Sequence, residues 1–219
     1  MLASAFSPRR VESELRRLQA GTEVPDQIVD AAIGLRIRAI EDRLDLSSLL
    51  QRYGPRFFEE GDLHWRYMAE LWREIERLPI SRVLDLGSGY GRLVFFGAIC
   101  VRLEVMGIEL VEERVREATR VRDNLGLHNA TFSQGDVVDA AWPDADCICL
   151  MNSLTHRERD AVLNRIEALS RSTPLFVASC SNTNIALARK EWFEVLYSTS
   201  GTLLGIQIGR TLSFRGQRV

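Results

Sequence analysis

From residue 81 onward, short apolar runs alternate with stretches in which apolar positions recur every three or four residues. The runs predict strands at Ser81–Leu86, Leu103–Glu109, Ala130–Ser133, Ala145–Met151 and Leu175–Cys180. The stretches between them predict helices at 91–100, 111–125 and 155–170, the last opened by the capping box Thr155-His156-Arg157-Glu158. A short helix at 184–191 then leads into Phe193–Ser198 and Thr202–Leu212, two strands joined by Ser200-Gly201, a hairpin signal. Repeated strand–helix units with right-handed crossovers make a parallel sheet. The expected fold is therefore α/β: a Rossmann-like, doubly wound, seven-stranded sheet with a C-terminal antiparallel hairpin.

The first sixty residues read differently, as helices without strands. Ser7-Pro8 opens a helix striped by Val11, Leu15 and Leu18, and Gly21 ends it. Pro25 opens a second helix with Val29, Ile33, Ile37, Ile40 and Leu44 on one side. Residues 51–61 read as a loop rich in aromatics. Two readings of it stand: Phe57 and Phe58 anchor the helices to the core, or Tyr53, Phe57, Phe58 and Glu59 form a lid over a ligand. Asp62 caps a third helix striped by Trp65, Met68, Leu71, Trp72, Ile75 and Leu78, which Pro79 stops. The division is a helical extension or lid at 1–60 and a binding domain at 61–219.

Composition narrows the class. Apolar residues make up 46%, and the net charge is −2, so no global basic field exists to hold bulk nucleic acid. The basic residues are nearly all arginine, with Lys190 the single lysine. Cys100, Cys147, Cys149 and Cys180 lie in apolar contexts without a C-x-x-C pair, which reads as buried reduced thiols and no metal site. No charged-then-apolar leader and no run of membrane-spanning length is present, and the expectation is a cytoplasmic protein away from the membrane.

The chemistry concentrates at the first strand end. Val83-Leu84-Asp85-Leu86-Gly87-Ser88-Gly89-Tyr90-Gly91-Arg92 combines an apolar run, an acid, three glycines at alternate positions and the start of a helical pattern. That is a strand, a glycine turn and a helix N-terminus, a backbone arrangement suited to a nucleotide-like ligand. Asp85, Glu109 and Asp136 fall at three successive strand ends, and in a doubly wound sheet these converge on one crevice. Glu109 suits two ribose hydroxyls, because a carboxylate offers two acceptor oxygens. Asp136 is placed to accept from an adenine amino group. Asp85, behind the glycine turn, can hold the loop or an ammonium. The spacing G-x-G-x-G, with Arg92 where a nicotinamide-binding loop carries its third glycine, is a modest signal that, combined with the acid after the third strand and the terminal antiparallel hairpin, points away from a nicotinamide enzyme.

These motifs resemble class I S-adenosylmethionine-dependent methyltransferases. The match lies in V-L-D-L-G-S-G-Y-G (83–91), G-I-E-L (107–110), Q-G-D (134–136) and C-I-C-L-M-N (147–152), and covers roughly residues 62–212. The resemblance implies S-adenosylmethionine as cofactor. It implies a binding set of Asp85, Gly87, Ser88, Gly89, Gly91, Glu109, Leu110, Asp136, Val137 and Asn152, with Asn152 where methyl acceptors approach. A second likeness, to the non-SET lysine methyltransferases of the disruptor-of-telomeric-silencing type, rests on D-L-G-S-G-Y-G-R-L-V, on Trp142 after the G-D pair, on the asparagine closing the fourth strand and on a helical N-terminal part. Here that strand closes as Met151-Asn152-Ser153, where that family doubles the asparagine and follows it with an aromatic.

Methyl transfer is an in-line displacement that depends chiefly on positioning, and a base is needed only for an acceptor that arrives protonated. Asn152 and His156 are the catalytic candidates. His156 stands at the first position of a helix, where a neutral imidazole is favoured, and the alternative is an exposed residue within the capping box. The fourth strand end lacks N/D-P-P-Y and Pro-Cys, which counts against DNA methylation. The expected acceptor is a small molecule or a protein side chain, with nucleic acid disfavoured. Two other functions compete: a non-catalytic module that binds the cofactor and regulates a partner, and a nicotinamide oxidoreductase.

Overall fold

A computed structural model describes residues 8–54, 63–199 and 205–212. Phe57, Phe58, Glu59 and Asp62 lie outside them. Seven strands form one sheet: β1 (Arg82–Leu86), β2 (Glu104–Glu109), β3 (Ala130–Gln134), β4 (Cys147–Leu150), β5 (Phe176–Cys180), β6 (Phe193–Ser198) and β7 (Ile206–Thr211). Their order is β3-β2-β1-β4-β5-β7-β6. β1 to β5 run parallel, and β7 joins β5 and β6 antiparallel. The chain winds outward from β1 through β2 to β3, then returns to lay β4 on the other side of β1. The switch point thus falls between β1 and β4, where ligands bind such sheets.

Both faces of the sheet are covered, so the central strands are apolar throughout rather than alternating. Val83, Cys147 and Cys149 enter one core with Trp72, Phe95, Phe96 and the N-terminal residues Val11, Leu15, Val29 and Ile33. Leu84, Leu86, Ile148 and Leu150 enter the other, with Val162, Leu163, Ile166 and Trp192. The period of two in a strand makes this division. Asp85, paired in register with Cys149, belongs to the first face.

Helices α1 (Pro8–Gln19) and α5 (Trp65–Ile75) match their predicted stripes, although α5 begins at His64 as its cap residue rather than at Asp62. Trp72 fixes α5: its indole donates to the Leu93 carbonyl at 3.0 Å, and its ring occupies the space a Cβ on Gly97 would take, 2.2 Å away.

Two predicted elements change. The helix expected from Pro25 to Leu44 breaks into α2 (Asp26–Ile33) and α3 (Ile37–Glu41). Gly34 takes the left-handed conformation, φ 90°, and its N–H and that of Leu35 both return to the Asp30 carbonyl at 2.8 Å, which ends the helix. The expected loop from Gln51 instead begins within α4 (Leu46–Tyr53), capped by Asp45, which accepts from the Ser48 N–H and hydroxyl. After β1, α6 (Arg92–Phe96) gives way to a π turn at 97–101 that ends on Arg102 at φ 63°. α7 (Glu112–Leu125), α8 (His156–Ser170) and α9 (Asn182–Ala188) complete the alternation. Among the described residues no helix is long and apolar enough to cross a membrane.

Candidate functional site

At the carboxyl ends of β1, β2 and β4 lies a cavity of about 220 Å³. Asp85, Gly87, Ser88, Gly89, Glu109, Leu110, Asp136, Val137 and Asn152 all line it. Of the predicted cofactor set, only Gly91 is not among the lining residues; it serves as the residue before α6, at φ 82°.

The glycine turn is held close by its neighbours. The Gly87 and Ser88 N–H groups donate to the Ile108 carbonyl at 2.8 and 3.0 Å, tying the loop to β2. Gly87 has φ 79°, and a Cβ there would lie 2.3 Å from the Ser153 Cβ. Only glycine allows the β4 end to approach so closely. The Ser153 hydroxyl donates to the Leu86 carbonyl, fixing that approach from the other side.

Glu109 is buried, 6% exposed. Its two oxygens are shared out, one accepting from the Gly89 N–H at 2.9 Å and the other from the Val111 N–H at 3.0 Å. The Arg114 guanidinium stands 3.8 Å away. Asp136 accepts from the Val138 N–H at 3.0 Å and so shapes the turn that carries Val137 into the cavity. Trp142 supports that turn by donating to the Val137 carbonyl at 2.9 Å, and Arg165 stacks on its ring at 3.9 Å.

Asp85 is fully enclosed. Burial, followed by the charge of Glu109, raises its carboxyl to about 8, so it holds a proton at neutral pH. Behind it, burial raises the Cys180 thiol to about 11. The Cys149 thiol is raised well above its ordinary value by its hydrogen bond with Cys147 and by burial. The thiols are neutral, in keeping with structural rather than nucleophilic cysteines. The Ser88 hydroxyl is buried without a hydrogen-bond partner among the described residues while its residue lines the cavity.

The β4 end supplies Met151, Asn152, Ser153 and Leu154. Asn152 has φ 58°, a left-handed backbone that asparagine tolerates better than most residues. His156 is exposed and is not among the lining residues. Its Nδ1 takes a guanidinium N–H of Arg159 at 2.5 Å. Tyr53 closes α4 beside the β3 end, where its hydroxyl accepts from the Gln134 amide at 3.3 Å.

Several lining residues were not among the predicted site residues: Leu63, Met68, Tyr90, Arg92, Arg114 and Glu158. Most of them connect the cavity to the N-terminal helices. Arg92 pairs with Asp30 through two bonds, 3.0 and 2.7 Å, and Asp30 also accepts from the Trp65 indole. Arg114 pairs with Glu41 at 2.9 and 3.2 Å, and Glu41 also accepts from the Tyr90 hydroxyl at 2.8 Å. Burial opposes the Arg114 charge, but Glu41 and Glu109 outweigh it and hold the group above its ordinary value. Further out, Glu117 on α7 accepts from Arg120 and from both the backbone and the side chain of Arg36. Those contacts overcome burial and lower its carboxyl to about 2. The signal for these links was present in the sequence as arginines at the starts of two helices, but their acids lie 62 and 73 positions away.

Comparison with known proteins gives the class. The family model for a methyltransferase domain matches residues 79–204, more than half of the chain. The chain belongs to that methyltransferase domain family, and its fold is that of the class I S-adenosylmethionine-dependent methyltransferases. Among solved structures it is similar to the putative methyltransferase yhhF of Escherichia coli, at 11% identity and TM-score 0.57, covering 70% of this chain and 90% of that one. It is similar to TrmN of Thermus thermophilus at 20% identity and TM-score 0.55, covering 74% of this chain and 53% of that one, so it spans about half of TrmN. It is also similar to the glycopeptide N-methyltransferase MtfA complexed with S-adenosylmethionine, at 14% identity and TM-score 0.50, covering 66% and 93%. No curated protein matches it in sequence.

Proposed function

We propose that this protein transfers a methyl group from S-adenosylmethionine to a small molecule or a protein side chain. One observation carries the reading: Asp85, the glycine turn, Glu109, Asp136 and the β4 end line a single cavity at the switch point. The residues fit the cofactor. Glu109 keeps lone pairs beyond those given to Gly89 and Val111, and these suit ribose hydroxyls. Asp136 and Val137 suit the adenine edge. The Ser88 hydroxyl, without a partner among the described residues, and the enclosed Asp85 carboxyl suit the polar methionine end. When bound, the cofactor supplies an electrophilic methyl group. The chain's own part is to hold that group in the cavity and to present an acceptor past Asn152, Ser153 and Leu154.

Leu63 and Met68 face the same cavity from the segment leading into α5 and from α5 itself, giving the acceptor an apolar wall. The acceptor reading rests on this cavity rather than on the low net charge. Calorimetric titration with S-adenosylmethionine, S-adenosylhomocysteine and NAD tests the cofactor. Binding of both sulfur compounds without NAD is expected, and the reverse would sink the reading. Transfer of labelled methyl into a cell extract separates an enzyme from a binding module, which would bind and transfer nothing.

A further inference from the structure

We infer that Glu158 makes this enzyme a methyltransferase of amines, a reading that deepens the function proposed above and depends on it. Glu158 is 7% exposed and lines the cavity from the first turn of α8. Its Oε2 is committed to the capping box, accepting from the Thr155 N–H at 2.8 Å and the Thr155 hydroxyl at 2.6 Å. Its Oε1 has no partner among the described residues. That oxygen reaches solvent rather than being sealed off, so a ligand in the cavity can reach it, and of the donors that could pair with it a cation pairs best.

The rest of the lining favours the same class of acceptor. The β4–α8 stretch contributes Met151, Asn152, Ser153, Leu154 and Glu158, and only Glu158 among these is charged. Elsewhere in the cavity Glu109 and Asp136 are acids and Asp85 is held neutral by burial, while Arg92 and Arg114 are already engaged by Asp30 and Glu41. An acceptor bearing phosphate or carboxylate meets acids whose basic neighbours are taken. An alkylammonium meets an unclaimed carboxylate oxygen between apolar walls. The ammonium gives one proton to Glu158 Oε1, and the freed lone pair forms the N–C bond. The C–S pair stays on sulfur, and the Glu158 proton leaves to water with the methylated ammonium product.

The capping box makes the test clean. Glutamine serves at this capping position as glutamate does, so Glu158→Gln keeps the helix start and removes only the charge. Glu158→Ala removes both. Calorimetry of the protein saturated with S-adenosylhomocysteine, titrated with n-butylamine, n-butanol and butyl phosphate at neutral pH, reads the acceptor end without turnover. Wild-type protein is expected to bind the amine at least about tenfold tighter than the alcohol. Glu158→Gln is expected to erase that preference with S-adenosylhomocysteine affinity and thermal stability unchanged. An amine bound no better than the alcohol, or a preference that survives Glu158→Gln, would overturn the inference while leaving the methyltransferase reading intact. Failure of S-adenosylhomocysteine to bind at all would overturn both.

Discussion

Arg92 and Asp30 face each other across two hydrogen bonds, 3.0 and 2.7 Å, and both side chains are largely buried. One is the first residue of α6, directly after the glycine turn; the other lies in α2, in the N-terminal extension. Removing one partner of a buried pair leaves the other charge uncompensated, which costs more than the pair itself contributes. Asp30→Asn is expected to lower stability by roughly 3 kcal/mol. It should also weaken cofactor binding, although Asp30 is not among the cavity residues. Chemical denaturation with and without S-adenosylhomocysteine measures both effects, and wild-type values in each would show the pair to be idle.

Glu109 holds the glycine turn through Gly89 and stands ready for ribose. Glu109→Ala is expected to weaken S-adenosylhomocysteine by about 1–3 kcal/mol, the cost of leaving buried hydroxyls and N–H groups unmatched. Calorimetry gives the number, and unchanged affinity would remove Glu109 from the binding set.

Asp85 makes stability depend on pH in a stated direction. Its carboxyl in the folded protein titrates at about 8, far above about 3.9 for an unfolded chain. Below about pH 4 both states are protonated and no penalty exists. As pH rises toward 8 the unfolded state ionises first, so stability is lost across that window and levels off above it. Thermal melts of the ligand-free protein should show this decline, and Asp85→Asn should flatten it by an amount on the order of a few kcal/mol. A cofactor ammonium at Asp85 would expel its proton, so binding at pH 7 should release protons in wild type and none in Asp85→Asn. Calorimetry in buffers of different ionisation enthalpy counts them.

His156 occupies an exposed helix start with Nδ1 turned to Arg159. His156→Ala is expected to change stability by about 0.5 kcal/mol or less and to leave S-adenosylhomocysteine affinity alone. Turnover within about twofold would go with a capping-turn role, whereas a loss of about 10²-fold would make His156 the base.

How far the sequence carries depends on the range of the interactions. The sheet was readable because each strand is a local apolar run, and Gly87, Glu109 and Asp136 were readable because each closes such a run. The split of α2 from α3 was not. Val29, Ile33, Ile37 and Ile40 keep a helical rhythm across Gly34, and only the left-handed glycine reveals the break. The acids that hold Arg92 and Arg114 escaped for another reason, since no local pattern links positions so far apart. Glu158 was seen, but as a cap; a residue that satisfies one rule conceals a second use. The lid residues Phe57, Phe58 and Glu59 lie outside the described residues.

The Tyr90–Glu41–Arg114 link bears on how this catalytic unit is inherited. The stretch recognised as the methyltransferase domain starts at residue 79, yet Arg92 and Arg114 inside it take their counter-charges from Asp30 and Glu41 outside it. A gene segment cut at the recognised boundary would carry Arg92 without Asp30, and Arg114 without Glu41 though still beside Glu109. Recombination that moved the unit into a new protein would keep both pairs only by taking α2 and α3 along, so the module that keeps its charges matched is longer than the recognisable one.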